Sequence, residues 1–358
     1  MTANHEIETR LRQTAERLLR EKKVDLLLGY EKASLPFRTT PLFLTAAEEA
    51  ERLVWNPFCT ANLTVYLPRL FKAPADAREA KSAPPPPRVG VVLKGCDARS
   101  VVALIQERQV ARENLVLVGI GCPGVADVQK AERALGEHEA LGAGEDAQGN
   151  IRAVVEDGTE ITLRREEILA DACLECQSPM PSICDLVLGG PVEGNRTDAA
   201  RRRTAEFESK PPDARWARFQ EMLSRCIRCN ACRQACPMCY CKECLLDQTR
   251  PRFIGAGADF SDVAVYHLVR ALHTAGRCTE CGACARACPM RIDARLLARK
   301  LCLEAEDLYG YRAGQSADAT PLMSAFAMDD SQDFLTEPSP LPAASSPAEE
   351  ADQTRRAK

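Results

Sequence analysis

The sequence predicts an α/β amino-terminal domain with a β-hairpin, then a mainly α-helical, cysteine-rich domain, then a disordered carboxy-terminal tail. Three observations predict this. Two apolar, β-branched runs, Arg88 to Lys94 and Asn114 to Ile120, flank a helical stretch from Asp97 to Arg108, which is the strand-helix-strand order of a parallel α/β unit. Eleven of the 18 cysteines lie between Cys226 and Cys288, within a helically patterned region from Trp216 to Arg312. Beyond Gly314 the chain is rich in Ala, Ser, Pro and acidic residues and has too little apolar surface to offset its ordering entropy, apart from a short patch at Leu322 to Met328. The expected boundaries are 1–194 for the α/β domain, 195–215 for a linker, 216–314 for the helical domain and 315–358 for the tail, in line with a chain of 358 residues.

Taken in order, Glu6 to Lys23 spaces Ile7, Leu11, Leu18 and Leu19 as one face of an amphipathic helix, expected to dock or pack. An aromatic cluster, Trp55-Asn56-Pro57-Phe58, follows, and Pro84 to Pro87 form a stiff connection into the first core strand. Asn150 to Leu163 alternates apolar and polar residues on both sides of Asp157-Gly158, as a two-stranded ribbon with a tight turn does. Asn195 to Arg215 is charged and contains proline, so a solvated linker is expected there, with Arg201-Arg202-Arg203 on its surface.

Lys and Arg number 47 against 51 Asp and Glu, a net charge of -4 without a basic stripe, so no nucleic-acid partner is expected. The charged amino terminus lacks the apolar core of a secretory signal. The run RVGVVLKGC is interrupted by Lys94, well short of the roughly 18 to 20 apolar residues a membrane span needs. A cytoplasmic location is therefore expected, where clustered thiols bind metal or do redox work more often than they pair as disulfides.

The chemistry sits in an internal repeat. Cys226-x2-Cys229-x2-Cys232-x3-Cys236-Pro237 recurs as Cys278-x2-Cys281-x2-Cys284-x3-Cys288-Pro289. This is the spacing of the bacterial two-cluster ferredoxin, in which three thiolates wrap one [4Fe-4S] cube and the fourth, beside proline, reaches the other cube. One cluster is assigned to Cys226, Cys229, Cys232 and Cys288, and the other to Cys278, Cys281, Cys284 and Cys236. Paired zinc sites would use two separated Cys-x2-Cys pairs each, which this triple spacing does not follow. The segment between the repeats contains a helical stretch, Asp262 to Ala275. From about Trp216 to Gly314 the chain resembles the helical dicluster ferredoxin-like modules of fumarate-reductase-type and heterodisulfide-reductase-type electron-transfer subunits. Three further thiols, Cys239, Cys241 and Cys244, depart from that pattern. Two readings stand for them: a further cluster completed by Cys184, Cys59, Cys302 or a partner chain, or packed or reactive thiols.

In the α/β domain, Cys96 and Cys122 fall at the carboxyl ends of the two predicted strands, the edge at which open α/β sheets place ligands. With Cys173 and Cys176 they form a quartet that permits a third cube. The segments Gly95-Cys96, Val101-Val102-Ala103-Leu104, Cys122-Pro123-Gly124, Cys173, Cys176 and Asp185 to Gly189 resemble the beta subunits of coenzyme F420-reducing hydrogenases and dehydrogenases over about Val89 to Gly190. That resemblance implies a [4Fe-4S] cluster on Cys96, Cys122, Cys173 and Cys176, an FAD nearby, and other subunits of a hydrogenase, formate dehydrogenase or heterodisulfide-reductase-like complex as partners. Lys94 and Arg99 are candidates for contacting flavin phosphates at the strand-end loop, against a reading as exposed loop charges. No GxGxxG follows a predicted strand, and His5, His138, His267 and His273 share no metal-ligand spacing. The expectation is an oxidoreductase subunit that links a flavin to iron-sulfur clusters; a cluster-only wiring adaptor and a redox sensor are the alternatives.

Overall fold

The computed structural model describes residues 3–71, 85–194 and 199–324. In chain order its strands are β1 (Leu26–Lys32), β2 (Thr39–Leu44), β3 (Val89–Leu93), β4 (Leu115–Ile120), β5 (Ala140–Glu145), β6 (Ile151–Val155), β7 (Glu160–Leu163) and β8 (Leu186–Leu188). The longer helices are α1 (Ala3–Arg20), α2 (Gly95–Gln106), α3 (Val128–Ala134), α4 (Ala199–Glu208), α5 (Pro212–Ser224), α6 (Phe260–His273) and α7 (Arg295–Tyr309). The amino-terminal region is thus mixed α/β, and the carboxy-terminal region is helical.

The main sheet runs β2-β1-β3-β4-β8, with β1, β3, β4 and β8 parallel and β2 antiparallel at the edge. β3 is buried along its whole length, as its unbroken Val-Gly-Val-Val-Leu run requires of a parallel strand covered on both faces. The sheet is wider than the expected parallel pair: β1, β2 and β8 join it. β8 has only three residues, too few to show a period. The register between β3 and β4 sets Leu93 opposite Gly119, and Cys96 and Cys122 each lie three residues beyond that pair. Two cysteines 26 positions apart in sequence therefore leave the sheet side by side at its carboxyl edge.

α1 buries Leu11, Ala15, Leu18 and Leu19 in the core formed with the sheet. The apolar face expected to dock or pack does pack inside this chain, with each fully buried leucine contributing about 1.5–3 kcal/mol. The expected ribbon is a three-stranded sheet, β5-β6-β7, turning at Gly158 with φ +83. β5 escaped the pattern because Gly142 and Gly144 interrupt its alternation.

Two expectations are corrected. The segment expected to be a linker is largely helical, forming α4 and the start of α5. α4 packs on α7 by charge rather than by apolar burial: Arg201 pairs with Glu306 at 3.1 Å and with Asp307 at 2.8 Å, and Lys300 pairs with Glu208. The start of the expected tail is held as well, since Gln106 donates to the carbonyls of Ser316 and Ala319 and Leu322 covers Gly276. The remainder of that tail, from 325 onward, lies outside the described residues, as does Pro84. Among the described residues no helix is long and apolar enough to cross a membrane.

Candidate metal centres

The two cysteine runs fold alike, residue for residue. In the first, Arg228 and Asn230 take left-handed φ of 49 and 61; in the second, Glu280 and Gly282 take 59 and 70. These are the second and fourth positions after the leading cysteine of each run. Each run then enters a single helical turn, Ala231–Gln234 or Ala283–Arg286, that carries its third cysteine. The left-handed residues coil the chain tightly enough for the first three cysteines of each run to line one cavity.

Cys226, Cys229, Cys232 and Cys288 line one cavity, together with Tyr266 and His267. Cys236, Cys278, Cys281 and Cys284 line a second, together with Arg270, Glu280 and Arg299. The structure thus brings each triple run together with the proline-flanked cysteine of the other run. Backbone N–H groups point at sulfur, from Arg228 to Cys226 and from Ile292 to Cys288, each at 3.4 Å. Such bonds favour thiolate ligands and tune a cluster bound by them. A soft, all-sulfur donor set of this kind fits iron-sulfur clusters. Among the described residues no three Cys, His, Asp or Glu side chains converge on one point as a single ion requires; a cube, with its thiolates on four separate irons, does not ask for that.

Arg270 connects the two cavities. It lines the second and donates to the carbonyl of Cys232 in the first. Burial works against its charge, but the thiolates of Cys284, Cys236, Cys232 and Cys239 outweigh it and hold the guanidinium above its ordinary pKa. Burial, with Arg270 adding to it, pushes His267 down to about 4, so the ring that contacts the Cys226 sulfur at 3.4 Å is neutral.

The four amino-terminal cysteines interact in pairs, Cys96 with Cys122, Cys122 with Cys173 and Cys173 with Cys176. Burial pushes the Cys96 thiol up, with the charges of Asp97, Cys281 and Cys122 adding to it. Burial pushes Cys122 up to about 12, with Cys173 adding, and burial likewise raises Cys176, again with Cys173 adding. Val125 N–H donates to the Cys173 sulfur at 3.4 Å, and Cys122 N–H donates to the Pro179 carbonyl at 3.0 Å, which ties the strand-end loop to the segment after Cys176. Ala172, next to Cys173, packs on Gly282, which lines the second cavity, so the loop of Cys173 and Cys176 adjoins that cavity.

Lys94 and Arg99 are not open to a ligand at the sheet edge, and the exposed-charge reading fails as well: they are 2% and 4% exposed. Lys94 donates to Tyr30 and to the Ala61 carbonyl and pairs with Asp97 at 2.8 Å, which uses the three donors of its ammonium. Arg99 donates to the carbonyls of Ala313 and Thr279. Replacing Lys94 with methionine strands the buried Asp97 carboxylate, an expected cost of about 3–5 kcal/mol readable from the urea midpoint of anaerobically prepared protein. A midpoint equal to that of the unmodified protein would refute the pairing.

The extra thiols keep different company. Cys239 hydrogen-bonds Cys236, Cys244 lies with Cys232 against Leu246 and Tyr266, and Cys241 is exposed. Cys59 is buried in the α/β core, Cys184 lies against Gly119, and Cys302 donates to the Cys278 carbonyl at 3.7 Å. The Cys302 thiol, interacting with the Cys278 side chain as well, brings Cys278 down to about 7. The spacing argument passed over two carboxylates, Glu175 and Glu280. Each sits directly before the second cysteine of a Cys-x2-Cys pair, and that shared position is the signal that marks them.

Comparison with known proteins supplies three findings. A family described as a 4Fe-4S dicluster domain matches residues 221–292. The F420-dependent formate dehydrogenase subunit beta of Methanocaldococcus jannaschii is 21% identical over 86% of this chain and 92% of its own. The F420-dependent formate dehydrogenase 1 subunit beta of Methanococcus maripaludis is 21% identical over 86% of this chain and 90% of its own. The expected resemblance to such beta subunits therefore extends along most of the chain. Among solved structures, a chain of the xenon-derivatised F420-reducing [NiFe] hydrogenase complex from Methanosarcina barkeri overlaps with a TM-score of 0.35 and 14% identity. That overlap takes in 50% of this chain and 64% of the other, so this chain spans less than two thirds of that structure's length.

Proposed function

We propose that this chain is an iron-sulfur electron-transfer subunit of an oxidoreductase, passing electrons between a hydride-linked flavin site in the α/β region and two ferredoxin-like [4Fe-4S] clusters. Its partners in this reading are the other subunits of a hydrogenase, formate dehydrogenase or heterodisulfide-reductase-like complex. The observation that carries the reading is the exchange of ligands between the two cysteine runs, supported by a third quartet beside the second cavity. When bound, a flavin supplies the exchange of a hydride for single electrons and the cubes supply one-electron relays.

The residues of this chain have definable tasks in that scheme. Cys96, Cys122, Cys173 and Cys176 would hold the first relay, Cys278, Cys281, Cys284 and Cys236 the middle one, and Cys226, Cys229, Cys232 and Cys288 the last. Cys229 is exposed and Ile227 is 56% exposed, so the last relay lies nearest the surface and suits exchange with a partner.

The commitment of all three Lys94 donors to protein partners favours a second reading, a cluster-only wiring subunit. An anaerobic preparation separates the two. Flavin released by acid together with about 12 iron atoms per chain supports the relay with flavin, whereas about 8 iron atoms and no flavin would sink it.

A further inference from the structure

The α/β region and the helical module meet at the cysteine loops themselves. Ser100, on the helix that begins beside Cys96, hydrogen-bonds Thr279 between hydroxyls at 2.8 Å, and Arg99 donates to the Thr279 carbonyl at 3.2 Å. A Cβ on Gly282 would lie 2.5 Å from Cβ of Ala172, so the loops of Cys173 and Cys281 are in direct backbone-to-side-chain contact. Across this seam the two overlooked carboxylates share one cation. Arg299, on α7, pairs through Nη2 with Glu175 at 2.6 Å and through Nη1 with Glu280. Glu175 also takes Arg203 at 3.0 Å and Arg295 at 3.3 Å, while Glu280 takes Arg312 at 3.4 Å and Arg99 at 3.5 Å.

We propose that Arg299 is a positioning residue for electron transfer: by gripping Glu175 of Cys173-Leu-Glu-Cys176 and Glu280 of Cys278-Thr-Glu-Cys281 on one guanidinium, it sets the spacing and relative potentials of the two adjoining relays. The inference rests on the reading of both quartets as cluster sites. A planar guanidinium with paired donors can hold two carboxylates in a fixed relation, which a single ammonium cannot do as rigidly. Each glutamate is one residue from a ligand, so a displacement of the carboxylate moves the loop that carries the sulfur. Arg299 lines the second cavity, and its positive charge there favours the reduced, more negative state of a cluster.

The test uses the full chain, loaded with iron and sulfide and handled anaerobically. Iron content of the unmodified protein is measured first: about 12 atoms per chain upholds the three-cube premise, and about 8 overturns that premise and this inference with it. Arg299→Ala at full iron content is then expected to shift the midpoint potentials of both adjoining clusters to more negative values. It is also expected to weaken the spin-spin broadening between them in the electron paramagnetic resonance spectrum of the reduced protein. Arg299→Lys keeps the charge and should restore the potentials while leaving the broadening weaker than native. Glu280→Gln removes a negative charge beside one cluster only, so that cluster should shift to a more positive potential and the other by less. If Arg299→Ala fails to fold, Arg299→Lys and Glu280→Gln decide the matter. Native potentials and native broadening in the loaded variants would overturn the proposal.

Discussion

Replacing Cys284 with alanine is expected to lower the iron bound per chain by about four atoms, one whole cube, while Cys241→Ala leaves the iron content unchanged. The contrast follows from placement. Cys284 lines the second cavity, and burial pushes its thiol up to about 12 with Cys236, Cys281 and Cys278 adding, so its neighbours are the other sulfurs of that quartet. Cys241 is exposed. Cys236 and Cys278 would make poorer tests, because Cys239 and Cys302 stand in hydrogen-bond contact with them and offer substitute sulfurs. Iron and acid-labile sulfide assayed on both variants settle the point: full iron in Cys284→Ala, or a loss of about four atoms in Cys241→Ala, would contradict the assignment.

Gly95→Ala is expected to destabilise the protein by more than about 4 kcal/mol, and to cost the amino-terminal quartet its cluster. A Cβ at this position would lie 1.9 Å from the Ser178 carbonyl oxygen and 2.9 Å from both the Met180 oxygen and the Pro179 carbonyl carbon. All three are backbone atoms, so no rotamer change relieves the clash. Relief requires the loop after Cys176 to move away from the loop that carries Cys96. The matched control is Gly142→Ala in β5, where a Cβ meets nothing within 4 Å. Denaturant midpoints and iron content of the two variants provide the comparison, and a Gly95→Ala protein with native values of both would show that the loops tolerate separation.

Much of the candidate site was legible in the residues alone. The doubled cysteine spacing states how many sulfurs a short loop can turn toward one centre, and proline after the fourth cysteine stops that loop. The strands around Cys96 and Cys122 were visible because parallel, doubly covered strands need unbroken apolar runs. β1 was harder to see, since Leu26-Leu27-Leu28 is followed by Gly29 and Tyr30 and then by the charged Glu31 and Lys32, and β8 is three residues long. Charge was read correctly as surface, but its partners were not visible. The arginines at 201–203 are exposed, as expected of a solvated segment, and Arg201 and Arg203 in addition meet carboxylates contributed by distant segments.

By itself, then, the sequence determined the chemistry: soft sulfur donors, their count, and the loops that present them, all of which depend on neighbours within a dozen residues. Tertiary structure alone decided which distant residues meet. It joined Ser100 to Thr279, laid Ala172 on Gly282 and spent the donors of Lys94 inside the protein. It also joined Glu175 and Glu280, 105 positions apart, on Arg299. Contacts of that range follow from how the sheet edge packs against the helical module, and local spacing carries no record of that packing.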